Sequence, residues 1–201
     1  MEDEKYQAWE IKGRTLEFIP SDHLYVCDGV IVRSVTQLLS MKFGKKYDGI
    51  DAGVLKAAAD RGTAIHKAIE EYCKTGRNED VPEVRDFKFL QHHYNFLVTG
   101  NEMPIILDFA GETYAGRLDL ILNMNPADPC YAVADIKTTS TLDKDYLGHQ
   151  LNLYRLGVEQ YYDIAIQELY GIHLKDGKRK MVKIPIRSEK WLAESLDIHG
   201  V

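Results

Sequence analysis

Three charged residues, Asp119, Asp135 and Lys137, stand inside runs that otherwise read as buried strand: GRLDLIL over 116–122 and VADIKTT over 133–139. Alternate side chains of a strand share a face, so Asp135 and Lys137 point the same way. If the two runs pair through the connection NMNPADP, Asp119 and Asp135 approach each other from adjacent strands. Carboxylates so placed repel, and burying one without a partner costs several kcal/mol or raises its pKa. A divalent cation resolves the conflict. Oxygen ligands on a short strand pair suit Mg²⁺ or Mn²⁺, which keep positions open for water and substrate phosphate. Lys137 beside such an ion could orient or help deprotonate an attacking water and offset charge on the phosphate. The plain alternative is that Lys137 neutralises Asp135 while Asp119 ends a strand in solvent.

Two helical patterns carry further candidates. In RGTAIHKAIEEYC, Ile65, Ala68, Ile69 and Tyr72 form a core stripe, and His66 lies on its flank with Gly62 and Cys73. A histidine at the edge of a core is commonly structural, yet a neutral imidazole is a sound ligand for Mn²⁺. In YLGHQLNLYRLGV the apolar face includes Tyr146, Leu147, Tyr154, Gly157 and Val158, with Gln150 at its centre. A glutamine there needs hydrogen-bond partners, and Tyr154, one turn on, projects beside it. The pair either satisfies itself or faces the catalytic groups and nucleic acid.

The elements that must position these residues follow from the remaining pattern. Short β-prone runs over residues 14–33, broken by Pro20-Ser21-Asp22 and Asp28-Gly29, predict an antiparallel meander. Ser34 or Thr36 caps a short helix through Leu39, and a helix over 52–74 stops at Gly76. A second helix opens at Pro82 and closes at Gly100. Three β-rich runs, MPIILDF, TYAGRLDLILN and CYAVADIKTT, predict an antiparallel sheet. A helix over 143–160, a hairpin turning at Lys175-Asp176-Gly177-Lys178 and a terminal helix begun by Ser188 complete the chain. The fold class expected is α/β in the mixed α+β sense, a central mixed sheet flanked by helices, in one domain over 1–201 with a catalytic core over 52–187.

A chain of 201 residues, 45% hydrophobic and 28% charged, can bury the core of one domain. Its formal net charge of −6 excludes a surface coated with cations, so any nucleic-acid contact must be local. No apolar run has the length of a leader or membrane span, so a soluble, cytoplasmic protein without a membrane partner is expected. Cys27, Cys73 and Cys130, an odd number without C-x-x-C spacing, argue against disulfides, zinc and an iron–sulfur cluster.

The order Gly62-x-x-x-His66, Gly116-Arg-Leu-Asp119, Asp135-Ile-Lys137-Thr138, Gln150-x-x-x-Tyr154 resembles the RecB-like, phage-type exonuclease branch of the PD-(D/E)XK nuclease superfamily. The resemblance covers residues 52–160 and implies a restriction-endonuclease-like core that cuts DNA with Mg²⁺ or Mn²⁺. By it, His66, Asp119, Asp135 and the Ile136 carbonyl are metal ligands, and Lys137 is the catalytic lysine beside catalytic Asp119 and Asp135. Gln150 and Tyr154 engage DNA near the site, while Arg61, Arg117, Lys144 and Arg155 are candidates for phosphate contacts. Two departures stand out: Leu118 replaces the nominal proline, and Asp135 replaces the commoner Glu. The implied activity is an exonuclease of phage or mobile-element recombination or repair, with a single-strand annealing protein as a separate partner and a homo-oligomer as the assembly. An endonuclease of the same fold and a noncatalytic DNA-binding relative are the alternatives.

Overall fold

The computed structural model describes residues 6–44, 49, 51–77 and 80–198. Four two-residue turns set the antiparallel part of the architecture. Lys12-Gly13, Asp28-Gly29, Ala110-Gly111 and Asp176-Gly177 each place both central residues at positive φ, the geometry whose twist matches a tight hairpin. They join β1 (Gln7–Ile11) to β2 (Arg14–Ile19), β3 (Leu24–Cys27) to β4 (Val30–Ser34), β5 (Leu97–Phe109) to β6 (Glu112–Asn123), and β8 (Ile166–Lys175) to β9 (Lys178–Ile184). The meander therefore begins one strand earlier than the expected residue 14, at Gln7.

Helix boundaries follow local capping. Ser34 opens α1 (Val35–Phe43) with a reciprocal capping box to Gln37, and the helix runs a turn beyond the expected Leu39. Asp51 caps α2 (Ala52–Thr75), and Gly76 ends it in the left-handed conformation. Pro82 begins α3 (Pro82–Tyr94) as expected, but Asn95 takes the left-handed cap and the helix stops there, well short of Gly100. The reason is tertiary. Residues from Leu97 onward pair with β6 as one strand thirteen residues long, which overrides the local helical pattern. Asp143 caps α4 (Lys144–Tyr161), and Ser188 caps α5 (Glu189–Ser195).

The sheet is mixed, in the order β1-β2-β3-β4-β6-β7-β8-β9, with β5 also on β6 and β7 spanning Tyr131–Lys137. Pairing is antiparallel except at β4–β6 and β7–β8, and α4 makes the crossover between the parallel β7 and β8. Helices α1, α4 and α5 cover one face through Leu38, Leu147, Leu151 and Leu192. Helices α2 and α3 cover the other through Ile65, Ile69, Phe87 and Leu90. A smaller cluster, including Leu16, Phe18, Ile106 and Ala115, fixes the meander to the sheet.

One irregularity decides where chemistry can occur. Along the edge of β6 away from β5, β4 pairs at Tyr114 and Ala115, and β7 pairs from Leu120 to Asn123. Between them, residues 116–119, the GRLD stretch, have no strand partner on that edge. Open sheets place ligands where neighbouring strands part in this way.

Candidate functional site

Asp119 lies at the inner end of the gap. Leu118 packs on the α4 side of the sheet and Leu120 on the α2 side, so side-chain alternation slips at Asp119. Its Oδ2 accepts the Ile136 N–H at 2.7 Å, taking the place of the β6–β7 ladder that ends at Ala134. The Ile136 carbonyl, on the same edge of β7, lies 3.0 Å from His66 Nε2. A carbonyl can only accept, so Nε2 carries the proton and Nδ1 is turned toward the carboxylates. Nδ1 lies 3.5 Å from Asp119 Oδ2 and 3.7 Å from Glu102 Oε1. His66 comes from α2, which approaches β7 closely at Gly62, where a Cβ would sit 3.3 Å from Thr138 Oγ1.

Glu102 was not among the residues expected from the sequence. It stands in β5 between Asn101, paired with Leu120, and Met103, paired with Leu118, and so lies opposite Asp119. Its φ of 47° is left-handed, rare for a non-glycine residue within a strand. A β-bulge between Val98 and Gly100 immediately precedes it. Irregular backbone of this kind concentrates where side chains must be re-aimed. His66, Glu102 and Asp119 each offer an atom within 4.8 Å of the others, a group able to hold a metal ion.

On the α4 side, Lys137 Nζ lies 2.7 Å from Asp135 Oδ2 and donates to Gln150 Oε1 at 3.0 Å. Gln150 is hydrogen-bonded in turn to Tyr154. The tyrosine ring packs over Gly116, where a Cβ would come within 3.0 Å of it, so the glycine of GRLD admits this ring. Gln150 and Tyr154 are buried, and what they touch is Lys137 and β6. The buried Asp135 Oδ2 is matched by the Lys137 ammonium in a close ion pair.

The charges are strongly interdependent. Burial pushes the Asp119 carboxyl well up, and the negative charge of Asp135 adds to this against the opposing charge of His66. Burial pulls His66 down, but Asp119, Glu102 and Asp135 outweigh it and lift the imidazole to about 9. For Lys137, burial is likewise overcome, by the charges of Asp135 and Asp119, so the amine stays protonated. Crowded carboxylates and an imidazole whose Nδ1 faces them fit a divalent cation better than they fit one another.

The expected site residues thus divide. His66 and Asp119 come together with Glu102; Asp135 sits across β7 with Lys137, outside that group. The Ile136 carbonyl, expected as a metal ligand, lies in hydrogen-bonding contact with His66. Arg61 is held by Glu83 at 2.7 Å, and Arg155 by Glu159 and the Arg187 carbonyl. Lys144 is exposed in the first turn of α4. Arg117 borders the site, its Nε 4.0 Å from Glu102 Oε2. Cys27, Cys73 and Cys130 are free thiols. No helix among the described residues is long and apolar enough to cross a membrane.

No protein-family model matches the chain, and no curated protein does. Among solved structures it is similar to the crystal structure of SSO0001, with 16% identity and a TM-score of 0.45 over 83% of this chain and 74% of that one.

Proposed function

We propose that the chain is a divalent-cation-dependent deoxyribonuclease, an exonuclease acting on DNA ends with Mg²⁺ or Mn²⁺, in recombination or repair of phage or mobile-element type. What supports it is the His66–Glu102–Asp119 group set across β7 from a charged Lys137. These three residues would hold the cation, which when bound supplies a Lewis acid for the phosphodiester and a more acidic water.

The protein's own groups have distinct tasks. A phosphate entering beside Asp119, Asp135 and Glu102 meets net repulsion, so the site needs positive charge before it can take substrate. Lys137 supplies one such charge. A protonated amine cannot accept a proton, so Lys137 acts as a donor that orients water or phosphate oxygen rather than as a base. Gln150 holds the amine through its amide oxygen, and Tyr154 holds Gln150, which makes both positioning residues. Arg117 is the arginine placed to meet a phosphate. A separate single-strand annealing protein and self-association belong to the same proposal.

Incubation of labelled linear duplex and covalently closed circular DNA with Mn²⁺ tests it. Loss of the linear form alone, abolished by EDTA and by Lys137→Ala, is the expected result. Cutting of the circle would make the enzyme an endonuclease, and full activity in EDTA or in Lys137→Ala would overturn the assignment.

A further inference from the structure

A cavity of about 470 Å³ opens beside the metal-binding group, between β1 of the meander, α2 and the β5–β6 pair. Tyr6, Trp9, Lys74, Asn101, Glu102 and Arg117 line it. Glu102 connects the two places directly: Oε1 faces His66, and Oε2 faces Arg117. Whatever fills the cavity therefore lies one carboxylate away from the candidate cation.

The lining has a particular chemistry. Tyr6 is 58% exposed, and Trp9, half-buried, carries the Arg117 guanidinium 5.6 Å from its ring centroid. That guanidinium also lies 5.8 Å from the Phe18 ring and donates to Gln7, so its position is fixed from several sides. Lys74, at the far side, is exposed and paired with Glu70. The Asn101 Oδ1 is buried without a hydrogen-bond partner among the described residues. Two cations are balanced by two carboxylates, so a bare anion gains little here. Aromatic rings beside planar and point cations instead suit a flat, polar ring that carries a phosphate.

We infer that this cavity is the subsite for one unpaired nucleotide of the strand being cut, its base against Trp9 and Tyr6 and its phosphate against Arg117 and Lys74. The inference rests on the nuclease proposal and adds the substrate class: a strand whose bases are unstacked beside the scissile phosphate. A base inside a duplex has both faces covered by its neighbours and has none to offer Trp9. Clamping the meander to the sheet accounts for Arg117, Trp9 also packs on the cluster of Leu16 and Phe18, and the Tyr6 hydroxyl donates to Glu17. None of these contacts fills the open cavity that the two rings border.

The two tryptophans are Trp9 and Trp191, so Trp191→Phe makes Trp9 the sole indole. With Ca²⁺ in place of Mn²⁺ to supply the positive charge, a five-residue oligothymidylate should quench Trp9 emission in that protein, and a blunt duplex should not. Anisotropy of the labelled oligonucleotide should show binding weakened about ten- to a hundredfold by Trp9→Ala, largely restored in Trp9→Phe, and weakened a few-fold by Lys74→Ala. Unchanged Trp9 emission on binding, or equal affinity for folded Trp9→Ala, would overturn the subsite. The fluorescence measurement decides even if Trp9→Ala fails to fold. Digestion of linear DNA is scored separately. Digestion without Trp9 engagement removes the subsite and keeps the nuclease, whereas Trp9 quenching without digestion removes the nuclease.

Discussion

Glu102→Gln gives the sharpest test of the metal-binding group. The substitution keeps the shape of the side chain and removes one charge. In the cation-free protein its effects oppose each other: the ion pair with His66 at 3.7 Å is lost, and so is repulsion toward Asp119. The melting temperature without metal should therefore change little. With Mn²⁺ the effects no longer cancel, because a charged ligand has gone. At a Mn²⁺ concentration about 100 times the wild-type Kd, binding stabilises the fold by about 2.7 kcal/mol. For a chain of this size that raises Tm by roughly 5–11 °C. If the substitution weakens binding about ten- to a hundredfold, as ligand and near-ligand changes commonly do, the gain falls to roughly 0.4–1.4 kcal/mol. Differential scanning fluorimetry with and without Mn²⁺ reads both quantities. An Mn²⁺-dependent rise as large in Glu102→Gln as in the wild type would refute the role given to Glu102.

Other consequences follow from particular contacts. Gly157→Ala should lower Tm although alanine favours helix, because the new Cβ would meet Ile105 Cγ2 at 2.6 Å and the Ile106 carbonyl oxygen at 2.7 Å. Overpacking of this kind costs about 1–3 kcal/mol, and an unchanged thermal melt would count against it. Lys137→Met leaves Asp135 buried without its cation and should destabilise the fold by about 3–5 kcal/mol in urea denaturation. Adding Asp135→Asn should recover part of this, and additive losses would contradict a coupled pair. Burial raises the pKa of Asp108, but Tyr161, Thr113 and Arg14 outweigh it and hold the carboxyl below the usual range. A depressed carboxylate stabilises above its unfolded pKa and ceases to do so as pH falls through the folded one. The clasp of the meander to α4 should thus loosen from about pH 4 downward. Trp9 emission in a Trp191→Phe background should follow that loosening, and identical acid titrations of the chain with and without Asp108→Asn would rule it out.

Much of this fold is written locally. Asp28-Gly29 and Asp176-Gly177 announce hairpins, Ser34, Asp143 and Ser188 open helices, and Gly76 closes one. Lys137, Gln150 and Tyr154 form a connected chain of contacts, as their spacing allows. Three features were not legible, for different reasons. The end of α3 depended on β6, whose length draws Leu97 to Gly100 into a strand that local propensity alone does not favour. Glu102 depended on register. Counting back from the Ala110-Gly111 turn along a regular hairpin puts it opposite Asp119, but that count requires knowing that TGNEMPII is strand throughout. The parallel contact of β4 with β6 joins Arg33 to Tyr114, a separation no window of local pattern can bridge.

The two main-chain groups of Ile136 bear on how this protein should be silenced in the laboratory. Where β7 leaves β6, its N–H is taken by Asp119 and its carbonyl by His66, so these side chains do the work of a missing neighbour strand. Truncating Asp119 would orphan a buried amide, at about 1–3 kcal/mol, besides removing a proposed metal ligand. An inactive Asp119→Ala chain would therefore confound broken chemistry with a slackened sheet. Glu102, which neither holds up the main chain of β7 nor shields Asp135, is the position at which the proposed activity should be lost while the scaffold stays intact.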